Sequence, residues 1–231
     1  MPQRSVAERP ALTRERVVAT AMSLADGGGL DSLTMRRLAE ELGVEAMSLY
    51  YHFPNKNAIL DGLLERTFAE IEDESGGFST EASGDTWQQA LRDRILGARR
   101  VLLRHPWVPA VMESRSTLVP TMARYIDANV GLMRSGGLSH DLIHHAMHAL
   151  GSRQYGFSQE LTLDGDGSSS PGDQDLARMA EMVPHLAAML QEVVHDDPES
   201  TLGWCDDQTE FEFGLDILLD GLARRHAAEE H

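Results

Sequence analysis

Apolar residues recur along most of the chain at the three- and four-residue spacing of helices, and no segment alternates convincingly as a strand would. The first such stretch begins after Thr13. Its apolar face is formed by Val17, Val18, Ala21, Met22, Leu24 and Ala25. Asp26 and the glycines at 27–29 predict the end of this helix. The glycines lack the spacing and the preceding strand of a dinucleotide-binding turn.

Two short helices are predicted next. Thr34 is a suitable N-cap for a helix over residues 35–41, and Gly43 predicts where that helix ends. A second short helix is predicted over about residues 45–53. Pro54 ends it, because the residue before a proline disfavours the helical conformation.

A long amphipathic helix follows, with Asn55 as its cap and an end near Glu74. The segment from Ser75 to Gly84 is rich in glycine and serine and predicts a linker. Further helical patterns occupy about residues 85–104, 106–114, 117–135, 139–163, 174–195 and 207–227. The predicted fold class is therefore all-α, with an N-terminal three-helix helix-turn-helix head followed by a larger helical bundle.

The composition fits an ordinary globular chain and excludes several classes of protein. The 231 residues are 42% hydrophobic and include a single cysteine, Cys205, which cannot form an internal disulfide. No apolar run reaches the roughly 18–20 residues of a membrane span. The polar start of the chain, residues 1–10, has no apolar signal-peptide core. We therefore expect a cytoplasmic protein with no membrane partner.

The formal net charge of −17 argues against a nucleic-acid partner, because a phosphate backbone repels an acidic surface. The charge is unevenly distributed, however. Residues 1–60 contain seven basic and seven acidic side chains, so the entire acidic excess lies in residues 61–231. Only the surface that contacts DNA needs to be favourable, and the N-terminal segment remains a candidate for that surface.

Residues 33–56 meet the packing demands of a helix-turn-helix. Ala39 is small where the two short helices cross, and Gly43 allows the positive φ that a tight turn needs. The positions that must rest on a third helix are apolar; they are Leu38, Leu42, Val44 and Leu49. An ordinary helical hairpin would meet some of these demands by chance.

The outward positions of the second short helix distinguish a DNA-binding helix-turn-helix from an ordinary helical hairpin. They are Glu45, Ala46, Met47, Ser48, Tyr50, Tyr51 and His52. A purely structural surface helix rarely exposes two tyrosines and a histidine together. Hydroxyl and imidazole groups bind phosphates and base edges, and short side chains allow close approach to a groove.

Basic residues flank this helix on both sides. Arg36 and Arg37 precede it. Lys56, the only lysine, lies in the first turn of the next helix, where the helix dipole disfavours a cation and a nearby phosphate would explain it.

Over residues 12–65 the sequence resembles the TetR family of transcriptional regulators. The resemblance is carried by Gly27-Gly28, by residues 33–39 and 42–44, and above all by Leu49-Tyr50-Tyr51-His52-Phe53 followed by Asn55-Lys56. It implies that Arg36 reaches a base or a phosphate, and that Ala46, Met47 and Ser48 read bases in the major groove. It implies a backbone-positioning role for Thr34, Tyr50, Tyr51, His52 and Lys56.

Over residues 85–231 the resemblance is looser and points to the C-terminal domain of the tetracycline-repressor branch. It is carried by His105-Pro106-Trp107 and by residues 211–222. It implies a small-molecule effector site and a homodimer formed by the last two long helices, at about residues 139–163 and 207–227. We expect a DNA-binding domain at residues 10–54, a connecting helix and linker at 55–84, and an effector-binding and dimerisation domain at 85–231.

Aromatic residues and methionines in the C-terminal half could line an effector pocket, although plain core packing is the more common explanation for any one of them. The candidate effector-binding residues are Trp107, Met112, Tyr125, His144, His148 and Tyr155.

His140, His144 and His148 recur at intervals of four, and two histidines so spaced can chelate a metal. No third ligand of known geometry is visible, so we predict no metal site and no cofactor, although a metal could accompany the effector. A histidine surface, an interface and the wall of an effector cavity remain alternatives.

The function predicted from the sequence is a ligand-responsive regulator, acting as a repressor and not as an enzyme. A homodimer would bind a pseudo-palindromic DNA operator and would be released by a small-molecule effector. Two alternatives are a helical-bundle metalloenzyme that uses His140, His144 and His148, and an architectural DNA-binding protein without an effector.

Overall fold

The structure is a computed structural model that describes residues 11–80, 87–115, 118–156, 181–185, 188 and 207–229. In these ranges all regular secondary structure is helical, as the sequence predicts. The helices are α1 (Arg14–Ser32), α2 (Met35–Leu42), α3 (Ala46–His52), α4 (Lys56–Glu74), α5 (Trp87–Arg104), α6 (Val108–Glu113), α7 (Pro120–Ser135), α8 (His140–Tyr155) and α9 (Asp207–Glu229). Across the described ranges, none of them combines the length and apolarity that crossing a bilayer requires.

The chain divides into two compact units, residues 1–143 and 144–231. The first contains α1–α7 and the beginning of α8, and the second contains the rest of α8 together with α9. The predicted helix at 139–163 is observed as far as Tyr155; Gly156 forms a bend, and residues 157–163 lie outside the described residues. Most of the predicted helix at 174–195 also lies outside the described residues.

The glycines interrupt the first helix where the sequence predicts its end. The helical conformation continues past Asp26 and is broken at Gly29, whose φ is 67°. One more helical turn follows the break and ends at Ser32. The hydroxyl of Ser32 lies within hydrogen-bonding distance of the carbonyl oxygens of Leu24 and Gly29, at 2.7 and 2.8 Å, and can donate to either.

The helix-turn-helix forms as its sequence signals indicate. The side chain of Thr34 caps α2 by accepting from the backbone N–H of Arg37 at 3.1 Å. Gly43 ends α2 in the left-handed conformation, with φ 67° and ψ 35°. The buried positions that join α2 and α3 to the rest of the head are Leu38, Ala39, Leu42, Leu49 and Phe53. Packing of this apolar set leaves the opposite face of α3 available to solvent.

Helix α4 connects this head to the remaining helices. Asn55 caps it by accepting from the backbone N–H of Ala58 at 2.9 Å, as the sequence predicts. It packs against α1 on one side and against α5, α6 and α7 on others. Its buried face consists of Ile59, Leu60, Leu63, Leu64, Thr67, Phe68 and Ile71. A movement of α4 therefore cannot occur without repacking both the head and the bundle.

Ion pairs fix the C-terminal end of α4 to the bundle. Glu74 accepts from Nε of Arg100 at 2.9 Å, and Glu72 accepts from Arg124 at 3.0 Å. The hydrogen bond from Arg100 lowers the pKa of the Glu74 carboxyl below its usual value, with a further contribution from Arg104. Because a lowered carboxyl pKa stabilises the fold above the unfolded pKa, this link weakens as the pH falls through the acidic range.

In the second unit, α8 and α9 are joined by Arg153. Its guanidinium donates to the carbonyl oxygen of Glu210 and lies 4.9 Å from the centroid of the Phe211 ring. Gly214 allows this approach, because a Cβ at that position would stand 3.0 Å from Arg153 Nε. The buried face of α9 is formed by Phe211, Leu215, Leu219 and Leu222.

Substitution of Gly43 and of Gly27 by alanine is expected to have opposite effects on stability. Gly43→Ala should lower the free energy of unfolding by about 1–2 kcal/mol, because a Cβ is strained in the left-handed conformation. Gly27→Ala should raise it by up to about 1 kcal/mol, because Gly27 is helical and a Cβ there meets nothing within 4 Å. Urea denaturation of each variant gives its free energy of unfolding, to be compared with that of the wild-type protein. Equal shifts of the same sign would contradict this account of the turn.

Candidate functional site

Helix α3 is anchored by one side and presents the other to solvent. Leu49 is fully buried, whereas Met47 is 76%, Tyr50 43% and Tyr51 90% exposed. Ser48 is also exposed, and Ala46 is half-buried at the first turn. Tyr51 gains almost nothing from burial, so packing within the chain does not explain its presence.

The C-terminal end of α3 is held by the first turn of α1. The guanidinium of Arg14 donates to the carbonyl oxygen of His52 and lies 4.1 Å from the centroid of the Phe53 ring. The half-buried His52 ring meets the edge of the Tyr51 ring, with 5.3 Å between centroids. The role of Arg14 was missed in the sequence, where it looks like any other charged residue at the start of a helix.

Two residues predicted to contact DNA, Thr34 and Arg36, already have hydrogen-bond partners within the chain. Thr34 is exposed but serves as the α2 cap. Arg36 is exposed and pairs with Glu40 at 2.9 Å, and this hydrogen bond raises the pKa of Arg36. An exposed pair of this kind is weak and exchangeable, so Arg36 can transfer from Glu40 to a phosphate.

Lys56 has a structural partner that the sequence does not reveal. Its ammonium donates to the carbonyl oxygen of Leu30 at 3.3 Å, in the last turn of α1. This contact offsets the unfavourable position of a cation at the start of α4, because the C-terminal carbonyls of a helix attract positive charge. A phosphate is thus no longer needed to explain Lys56, and its contact with DNA stays a prediction.

The structure brings the nine predicted DNA-contacting residues together in the segment from 34 to 56, and none of them is buried. The predicted effector residues are divided between the two units. Trp107 and Tyr125 are buried in the first unit, where Met112 is half-buried; His144, His148 and Tyr155 belong to the second unit. Their role in binding an effector stays a prediction.

The histidines of α8 form a surface stripe. His140, His144 and His148 are exposed, and the rings of His144 and His148 meet edge to face with centroids 4.7 Å apart. In the described part of the chain, no group of three or more histidine, cysteine or acidic side chains could hold a metal ion.

A crevice of about 860 Å³ lies between α1 and α4. Charged residues of both signs line it, with Phe53, Val18 and Met22 among the apolar ones. None of the six predicted effector residues borders it. The crevice adjoins the head, because α1 and Phe53 form part of its lining.

Beside this crevice, His105 connects the head to the bundle. The buried imidazole follows α5 and places Nδ1 2.8 Å from Asp26 Oδ1 and Nε2 3.2 Å from Glu70 Oε2. Trp107 Nε1 donates to the same oxygen of Asp26 at 2.7 Å. Asp26 belongs to α1 and Glu70 to α4, so the His105 cluster joins three elements. A neutral imidazole donates from one nitrogen only, so both contacts are hydrogen bonds only when the ring is protonated.

Replacement of His105 by alanine is expected to lower the free energy of unfolding by about 2–4 kcal/mol, because it removes hydrogen bonds to charged groups and leaves a cavity. A double-mutant cycle with Asp26→Asn, followed by urea denaturation, should give an interaction energy of about 1–2 kcal/mol. Additive effects of the two substitutions would show that the contact does not join α1 to the bundle.

Taken together, a helix-turn-helix with a polar, aromatic recognition helix, joined through α4 to a helical bundle, defines a DNA-binding transcriptional regulator. The comparisons agree with this class. Residues 17–63 match the family described as bacterial regulatory proteins, tetR family, and residues 80–226 match the tetracyclin repressor-like C-terminal domain. The chain belongs to the TetR family.

The chain is similar to named repressors over most of its length. It is 31% identical over 218 residues to the HTH-type transcriptional repressor DrrR1 of Streptomyces coeruleorubidus, covering 93% of this chain and 78% of that protein. It is 30% identical over 216 residues to the class D tetracycline repressor of Escherichia coli, covering 91% of this chain and 88% of that protein.

Solved structures extend the similarity to the fold. Apo ActR from Streptomyces coelicolor superposes with a TM-score of 0.74 at 26% identity, covering 97% of this chain and 100% of that one. The structure of ActR in complex with (S)-DNPA superposes with a TM-score of 0.69 at 25% identity, covering 94% of this chain and 100% of that one. The protein is a ligand-responsive transcriptional repressor, and the comparisons do not favour the metalloenzyme or the ligand-free alternative. Family members bind operator DNA, typically as dimers, and respond to small-molecule effectors.

Proposed function

We propose that this chain acts in the cytoplasm as a homodimer that binds a pseudo-palindromic operator and blocks transcription there. Each protomer places α3 in the major groove of one half-site. The observation that carries this proposal is the exposure of Met47, Ser48, Tyr50 and Tyr51 on a helix whose opposite side is fixed by Leu49. In this arrangement Ala46, Met47 and Ser48 face the bases, and the tyrosines, Thr34, Arg36, His52 and Lys56 face the DNA backbone.

The dimer is proposed to form through α8 and α9, the helices predicted at about residues 139–163 and 207–227. Phe213 is 63% and Ile217 52% exposed, and they stand four residues apart on α9, opposite its buried face. Two adjacent apolar side chains of this size on one helix are typical of an interface between subunits. A symmetric pair of such helices would bring the two heads to the same side of the DNA.

Release from DNA is proposed to follow from a change in the separation of the two heads. The heads fit the operator only when their spacing matches the repeat of the major groove, so a shift of a few ångströms weakens binding. An effector in the bundle would move α4, which packs on both parts of the first unit, and the His105 cluster would transmit part of that motion to α1. Effector and operator then favour different arrangements of one dimer.

Selection from random double-stranded DNA tests this proposal whatever the operator sequence is. Full-length wild-type protein is expected to enrich a two-fold symmetric motif whose half-sites lie one helical turn, about 34–36 Å, or a multiple of it apart. Tyr50→Ala, selected in parallel, should enrich no motif. A failure of the wild-type protein to enrich any symmetric sequence would overturn the proposal.

A further inference from the structure

Two exposed histidines stand one above the other on the surface of α8. His144 and His148 are four residues apart, and the centroids of their rings are 4.7 Å apart. Among the residues that the structure describes, neither imidazole has a hydrogen-bond or ion-pair partner. Two histidines at this spacing on one helix face can each direct a ring nitrogen at the same metal ion.

The charge around this histidine pair favours a cation. Residues 140–149 contain no lysine or arginine, and their only charged side chain is the acidic Asp141. The whole acidic excess of the chain lies in residues 61–231, so the surface that carries α8 attracts positive ions. Imidazole nitrogens suit zinc, copper and nickel, whereas calcium and magnesium prefer oxygen ligands.

One histidine pair supplies only half of the ligands that a zinc ion needs. Structural zinc sites in proteins are almost always tetrahedral, with four ligands. Within the described part of a single chain, no group of three or more histidine, cysteine or acidic side chains could hold a metal ion. The sequence predicts no metal site for the same reason. The two remaining ligands must therefore come from a second chain or from water.

A second chain that contacts α8 must contact the face that carries these histidines. The exposed positions of α8 all lie on one face; they are residues 140, 141, 144, 145, 148, 149 and 152. The other face is buried within the chain, through Leu142, Ile143, Ala146 and Leu150. In a two-fold symmetric dimer the same face of both subunits meets, so the histidine pair of one subunit can meet that of the other.

We propose that His144 and His148 from each of two subunits together bind one zinc ion, in a tetrahedral site with four histidine ligands that joins α8 to its copy. This inference rests on the homodimer proposed above and adds a metal to its interface. Because zinc binds the dimer more tightly than the separate subunits, it shifts the equilibrium toward the dimer by mass action. The dimer engages both half-sites, so zinc strengthens operator binding at protein concentrations where the dimer dissociates.

The test titrates zinc chloride into the full-length protein, without an affinity tag, by isothermal titration calorimetry. The wild-type protein is expected to bind one zinc ion per two chains. His144→Asn and His148→Asn should each weaken zinc binding by at least about tenfold, because loss of even an outer-shell partner of a metal costs about 10–100-fold in affinity. His145→Asn is the matched control: it changes an exposed histidine beside the pair and should bind zinc as the wild-type protein does.

Sedimentation equilibrium, with zinc and with a chelator, measures the effect of the metal on the dimer. Zinc should lower the dissociation constant of the wild-type dimer by at least about tenfold and should leave that of the His144→Asn, His148→Asn double variant unchanged.

Binding of no zinc, binding of one zinc ion per chain, or unchanged zinc binding by both single variants would each overturn the shared site. A dimer that forms in chelator, binds the operator and does not respond to zinc would overturn this site and leave the proposed function intact. A protein that is monomeric under both conditions would overturn the proposed homodimer together with the site.

Discussion

Replacement of Phe213 by glutamate is expected to convert the dimer to monomers and to weaken operator binding by at least about 100-fold. Phe213 is exposed within one subunit, so the charge should not disturb its fold, but in the proposed interface it would be buried without a partner. A monomer engages one half-site only and loses the gain of about 10²–10⁴-fold that linked binding provides. Sedimentation equilibrium gives the oligomeric state, and fluorescence anisotropy gives the affinity.

Leu118→Glu is the matched control for this substitution. Leu118 is also a large exposed apolar side chain, but it lies just before α7 in the first unit. This variant should remain dimeric and should bind the operator as the wild-type protein does. A dimeric Phe213→Glu protein, or one with unchanged operator affinity, would show that α9 does not form the interface through this face.

Replacement of Tyr51 by alanine is expected to lower operator affinity by about 10–100-fold and to leave the melting temperature unchanged. Tyr51 is 90% exposed, and its ring meets only the edge of His52, so its removal costs little within the chain. The loss of affinity follows from the loss of a contact with the DNA, typically about 1–3 kcal/mol. Anisotropy titrations and thermal unfolding measure the two quantities.

Tyr51→Phe distinguishes the hydroxyl from the ring, since only the hydroxyl donates to a phosphate. Leu103→Ala, an exposed apolar residue on α5, is the control for a change far from the head. If Tyr51→Ala bound the operator with wild-type affinity, Tyr51 would not contact the DNA, and α3 would not be the recognition helix.

Much of the head could be predicted from the sequence because its signals are local. Thr34 and Asn55 cap helices whose N–H groups lie within three residues of them, and Gly43 ends α2 through its own backbone conformation. The periodicity of apolar positions likewise placed α4 and its end at Glu74. Each of these features depends on neighbours in the chain, which a single sequence displays directly.

The remaining features depend on residues that are distant in the chain. His105 and Asp26 are 79 positions apart, and Arg94 and Asn129 are 35 apart, so nothing local reveals either contact. The partner of Lys56 is a carbonyl oxygen 26 positions away, which is why a phosphate looked necessary for it.

Operator recognition by α3 can be tested by one titration. Wild-type protein is titrated by fluorescence anisotropy against the DNA immediately upstream of its own gene and against a scrambled duplex, at two salt concentrations. If α3 recognises the operator, the dissociation constant for the upstream DNA should be on the order of nanomolar and at least about 10³-fold lower than for the scrambled duplex. Binding should be weaker at the higher salt concentration. Weak binding that is equal for both duplexes and unaffected by Tyr50→Ala would contradict operator recognition by α3.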